Sequence, residues 1–105
     1  MSNNFLDLAN HTLSDLFDLL SEKNNDLEID FIDKNITIEI DDGKTFIVSI
    51  HDPTKQIWLS SPLSGAHHFT LSNSNDLRSW ISTRDNEINL FKILQEEIDE
   101  VINEH

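Results

Sequence analysis

Apolar residues recur along this chain with two different periods, and the changes of period mark where helix gives way to sheet and sheet to helix. From Phe5 to Leu20 the positions Phe5, Leu8, Ala9, Leu13, Leu16, Phe17 and Leu20 fall at helical spacing and cover one side of an α-helix. The opposite side carries Asp7, His11, Ser14, Asp18 and Glu22, with Asp15 at its border. "EKNND" at 22–26 holds turn-forming asparagines and no apolar residue, so the helix is expected to end there. Residues 27–50 then alternate. Leu27, Ile29 and Phe31 oppose Glu28 and Asp30, and Ile36, Ile38 and Ile40 oppose Thr37 and Glu39. "DDG" at 41–43 signals a hairpin, and "KTFIVSI" follows as a third strand.

Pro53 interrupts the alternation. A fourth strand is expected from Gln56 to Ser60, stopped by Ser61-Pro62, a fifth from His67 to Leu71, and a short sixth within "LRSWIS" at 77–82. From Leu90 the helical period returns, with Leu90, Phe91, Ile93, Leu94, Ile98, Val101 and Ile102 in one stripe and Asn86 or Asn89 available as its cap. The order helix, five or six strands, helix predicts one α+β domain over 1–105. It is a two-layer sandwich with both terminal helices on one face of an antiparallel sheet. The other face is left uncovered, and it changes the meaning of one residue. Ile57 and Leu59 take the helix side of the fourth strand, so Trp58 falls on the open side with Gln56 and Ser60.

Charge narrows the function classes. Asp and Glu number 20 against 7 Lys and Arg, a net charge of −13. That field repels nucleic acids and anionic membrane surfaces and attracts cations and basic protein patches. The absence of cysteine excludes disulfides, thiolate metal sites and cysteine nucleophiles. No apolar run approaches the roughly 18 residues of a membrane span, and the first residues lack a signal-peptide pattern. The expected compartment is the cytoplasm, for a bacterial protein or an organellar one already trimmed.

Two constellations carry candidate chemistry. An indole on an open sheet face is either an interface residue or one packed on its cross-strand neighbours. Asp7, His11, Asp15, Asp18 and Glu22 form an acidic stripe that Asp26, Glu28 and Asp30 continue into the first strand. Like charges three or four apart repel by a few tenths of a kcal/mol, which a hard or borderline cation such as Mg²⁺, Ca²⁺, Mn²⁺ or Fe²⁺ would relieve. The same stripe also serves as a solvated helix back and a charged edge that blocks sheet aggregation. His67 and His68 point to opposite faces and make a poor chelating pair, while His51 and His105 read as isolated surface residues. No phosphate loop, nucleophile elbow, metalloprotease helix or glycine-rich fingerprint is present.

"KQIWLSSPLSG" at 55–65 resembles the signature of the frataxin family, whose bacterial members are the CyaY type. The resemblance runs along nearly the whole chain, through the acidic first helix, "DLEID", "DDGKTFIVSI", Trp80 and the closing helix. Departures are Thr54 in place of a common asparagine, His67 and His68 in place of basic or aromatic residues, and Leu71 where tryptophan is frequent. Asn86 stands for the glycine of an Asp-Gly turn, a position where asparagine would also tolerate left-handed backbone.

The resemblance implies a regulator or adaptor of iron–sulfur cluster assembly that binds Fe²⁺ weakly on its acidic ridge and contacts a cysteine desulfurase and its scaffold protein. By position the metal-binding ridge falls on Asp18, Glu22, Asp26, Glu28 and Asp30, with Asp7 and Asp15 added from helix geometry. The partner-binding surface falls on Gln56 and Trp58. Fe³⁺ and other divalent cations fit the same oxygen ligands, and the chain is expected to be a monomer without iron. Two other readings stay open: ferroxidase and iron-storage activity on the ridge, and a metal-free acidic module that docks a basic partner.

Overall fold

The ends of the elements are set by local chemistry. In the computed structural model, which describes residues 4–23, 27–40, 43–73 and 75–103, Asn4 caps the first helix. Its side-chain oxygen accepts from the Asp7 N–H at 2.9 Å and its carbonyl from Leu8 N–H at 3.1 Å. Asp26, Asp41, Asp42 and His105 lie outside the described residues. Helix α1 (Phe5–Lys23) is followed by β1 (Glu28–Ile32), β2 (Asn35–Glu39), β3 (Thr45–His51), a 3-10 turn (Asp52–Thr54), β4 (Gln56–Ser61), β5 (Gly65–Leu71), β6 (Trp80–Ser82) and α2 (Leu90–Asn103). The six strands form one sheet in chain order, each antiparallel to the next. This is the expected two-layer sandwich.

Two boundaries and one turn differ from expectation. β5 starts at Gly65, whose φ of 87° suits a residue without Cβ. β6 starts only at Trp80, because Asp76 holds residues 77–79 in a turn. Its carboxylate accepts from Arg78 N–H at 2.9 Å and its carbonyl from Ser79 N–H at 3.0 Å. Asn89, rather than Asn86, caps α2, its side-chain oxygen accepting from Lys92 N–H at 3.2 Å. Asn86 is not left-handed either. Asp33 and Lys55 are the described non-glycine residues with positive φ, and the 85–88 turn closes instead through Asp85, which accepts from Glu87 and Ile88 N–H.

The core lies between the sheet and the helices. Ile36, Ile38, Phe46, Val48, Ile57, Leu59 and Phe69 from the strands meet Leu13, Leu16 and Leu20 of α1 and Leu90, Leu94, Ile98 and Val101 of α2, all fully or almost fully buried. Trp80 is sealed among them. Its indole N–H donates to Thr12 Oγ1 at 2.8 Å, and the Thr12 hydroxyl donates to the Leu8 carbonyl at 2.8 Å. Phe5 meets it edge-on at 6.0 Å. A buried N–H and a buried hydroxyl are thus both satisfied, as burial requires.

Candidate functional site

Register decides what shares the uncovered face. One cross-strand row runs Ile32, Asn35, Ser49, Trp58, His68, and the next runs Asp30, Thr37, Ile47, Ser60, Ala66. Glu28 lies directly opposite Glu39 at the outer edge. The face is therefore divided, with carboxylates on β1 and β2 and aromatic and imidazole rings on β3, β4 and β5. Ile47, 40% exposed, is the apolar residue between the halves.

Trp58 is half-buried without any help from the helices. His51 stacks on one side of the indole at 3.8 Å between centroids and 15° between planes, and His68 on the other at 4.3 Å and 17°. Both ring faces are covered, so the indole offers a partner its edge. The packed reading and the open-face reading of Trp58 thus hold together: the ring is braced by cross-strand neighbours and still faces away from the core. His51 is not isolated, contrary to its appearance in the sequence, because pairing of β3 with β4 brings it beside residue 58. His67 and His68 do point to opposite faces, since Leu59 pairs with His67 and Trp58 with His68.

Hydrogen bonds fix the stack in place. Gln56 Oε1 accepts from the Trp58 indole N–H at 2.8 Å and from the Thr54 hydroxyl at 3.2 Å. With its proton directed to Gln56, Thr54 Oγ1 is an acceptor for His51 Nδ1 at 2.8 Å. The chain from His51 through Thr54 and Gln56 to Trp58 orients both rings. Sequence reasoning placed Gln56 and Trp58 together on the open face and missed His51, Thr54 and His68 as their neighbours. The signal for His68 and His51 was the strand register, which a reader of the sequence has to assume rather than see.

The acidic residues divide into two groups. Asp18, Glu22, Glu28 and Asp30 are exposed and make no ion pair with another described residue. Phe17 of α1 meets Phe31 of β1 at 5.8 Å, so the carboxyl-terminal half of α1 runs beside the acidic edge strand. Glu39, opposite Glu28, joins this flank and was not among the expected ridge residues. Carboxylates directly opposite on a sheet are mutually destabilising. Asp7 and Asp15 have other uses. Asp7 sits in the first turn of α1, where the helix dipole favours an anion, about 22 Å along the axis from Glu22. Asp15 accepts from Arg78 Nε at 3.2 Å and Nη2 at 3.4 Å, and the same guanidinium lies over the Phe91 ring at 5.1 Å. Asp26 lies outside the described residues. Among the described residues no three of His, Asp or Glu converge as a metal-holding group, so the flank offers scattered oxygen ligands rather than a cage.

The fold has counterparts elsewhere. The frataxin-like domain matches residues 1–104. The chain belongs to the frataxin family. A relative from Thioalkalivibrio sulfidiphilus, the iron–sulfur cluster assembly protein CyaY, is 37% identical over 75% of this chain and 73% of its own. Among solved structures, a frataxin from Psychromonas ingrahamii has the same fold at a TM-score of 0.81 and 23% identity, over 95% of this chain and 90% of the other. Trimeric frataxin of Saccharomyces cerevisiae complexed with ferrous iron superposes at 0.77 with 33% identity, over 91% and 86%. The chain spans about half the length of the mitochondrial frataxins it matches, 48%, 54% and 53% of three of them.

Proposed function

We propose that this chain acts in iron–sulfur cluster assembly as a non-enzymatic, iron-responsive adaptor that touches a cysteine desulfurase and its scaffold protein. The observation that carries the reading is the divided open face, where a braced Trp58 edge and an acidic flank lie side by side on one surface. Family membership supports it, as does the name of the CyaY relative, and ferrous iron in the yeast structure supports iron as the cargo sensed.

In this reading Fe²⁺ associates loosely with Asp18, Glu22, Glu28, Asp30 and Glu39, its remaining coordination filled by water, because no described cluster could replace the hydration shell. The same carboxylates steer the basic surface of a desulfurase, and Trp58 with Gln56 supplies a contact that salt weakens less. The adaptor tunes delivery of sulfur or iron and breaks no bonds itself. A cluster-assembly assay with the cognate desulfurase and scaffold tests it, run with wild type, Trp58→Ala and a variant with the flank carboxylates changed to amides. Each variant should shift the assembly rate toward that without the chain. Raising salt from about 0.15 to about 1 M shortens the screening length from roughly 8 to 3 Å and should weaken desulfurase binding by wild type far more than by the amide variant. Equal rates for all three proteins would defeat the proposal.

A further inference from the structure

The first half of β5 is an open edge. β6 pairs with Phe69 to Leu71, and past them, among the described residues, one backbone bond, from Thr83 N–H to the His68 carbonyl at 2.9 Å, covers the outer side. A cavity of about 280 Å³ opens there, with Ser64, His67, His68, Ser82 and Arg84 as its polar lining. No carboxylate lines it, although 20 of 105 residues are acidic.

The hydrogen-bond partners show which donors remain free. Ser61 and Ser64 both donate to Glu97 Oε1, at 2.6 and 3.0 Å. Ser64 Oγ is then an acceptor, and His67 Nε2 donates to it at 2.7 Å. This chain fixes the His67 ring and, with the proton on Nε2, makes Nδ1 an acceptor, so His67 shapes the cavity without offering it a donor. Ser82 is 6% exposed, and its oxygen accepts from the Arg84 N–H at 3.1 Å, which leaves the hydroxyl proton to give. The Arg84 guanidinium is exposed and makes no ion pair or hydrogen bond with a described residue. A planar fork of donors beside a buried hydroxyl matches a carboxylate, which takes two parallel N–H bonds and has lone pairs to spare.

We propose that this cavity receives an Asp or Glu side chain of a protein that docks on the open face and reaches over the free edge of β5, with Arg84 as its main contact and Ser82 as a further donor. The reading of the open face as an interaction surface is taken from the proposed function; the anion preference rests on the cavity alone. His68 lines the cavity and also stacks on Trp58, so a partner over the indole edge reaches both. The acids of β1 and β2 repel a carboxylate and Arg84 attracts one, which sets the direction in which such a partner lies. A free carboxylate meets the repulsion of the whole chain and binds weakly. One tethered to a docked partner is held at high effective concentration.

The test is an amide NMR titration of the purified chain with acetyl-Gly-Glu-Gly-amide, its glutamine counterpart and inorganic phosphate, with no desulfurase or scaffold present. The glutamate peptide should saturably move the amides of His67, His68, Thr83 and Arg84, and the glutamine peptide should not. Arg84→Gln should weaken the glutamate peptide by about tenfold or more with the remaining spectrum unchanged. Equal response to both peptides, or none to Arg84→Gln, overturns the proposal, and so does phosphate binding more tightly than the glutamate peptide. Because the assay contains the chain alone, its failure leaves the adaptor role standing, and failure of the cluster assay leaves the cavity standing.

Discussion

The two tryptophans lie in the same sheet and on opposite sides of it, and they divide the molecule into a part that holds the fold and a part that is free for contact. Trp80 faces the helices, is fully buried and gives its N–H to a threonine that is itself satisfied by the backbone. Trp58 faces outward, is braced by two imidazoles and gives its N–H to a glutamine within hydrogen-bond reach of a second hydroxyl. Each indole has an acceptor for its N–H and an aromatic neighbour. What differs is access to water, and that sets how much each contributes to stability.

Truncation separates them most. Trp80→Ala should cost about 3–5 kcal/mol, a large part of the 5–15 kcal/mol of a typical domain. Trp58→Ala should cost less, about 1–3 kcal/mol, from two ring contacts of about 0.5–1.5 kcal/mol each. Denaturant unfolding of both variants measures this, and comparable losses would break the comparison. In binding the order reverses: Trp58→Ala should lose about 2 kcal/mol of desulfurase or scaffold affinity, roughly thirtyfold, by calorimetry on the folded variant.

Removing the indole partners sharpens the contrast at a smaller scale. Thr12→Val leaves the buried Trp80 N–H unpaired and should cost about 1–3 kcal/mol. Gln56→Leu should cost about 0.5 kcal/mol or less, since water reaches the half-buried Trp58 N–H. Smallest are the carboxylates. Asp15→Asn should lose about 0.2–1 kcal/mol, fading with salt, whereas Asp18→Asn with Glu22→Gln should gain a few tenths as repulsion falls. Paired melts in low and high salt distinguish an engaged carboxylate from a crowded one.

Much of this was legible from periodicity. Alternation about Ile57 and Leu59 placed Trp58 on the open face, and the helical stripes of α1 and α2 marked the sides that became the core. The acidic stripe was legible as a helix side but not as a functional unit. Asp7 serves the start of α1, and Asp15 is taken by Arg78 from the β5–β6 connection, 63 residues away in the chain. Glu39 went unrecognised because its neighbour across the ladder, Glu28, is set by the β1–β2 register.

The sequence by itself determined the element types, the face each strand residue takes and the family, because helical and extended backbones impose fixed side-chain periods wherever they form. Only the tertiary structure decided that His51 and His68 clasp Trp58, that Asp15 is paired with Arg78, and that Arg84, His67 and Ser82 share one cavity. Those neighbours are far apart in the chain, and their meeting depends on strand register and on where β6 stops, which no local period encodes.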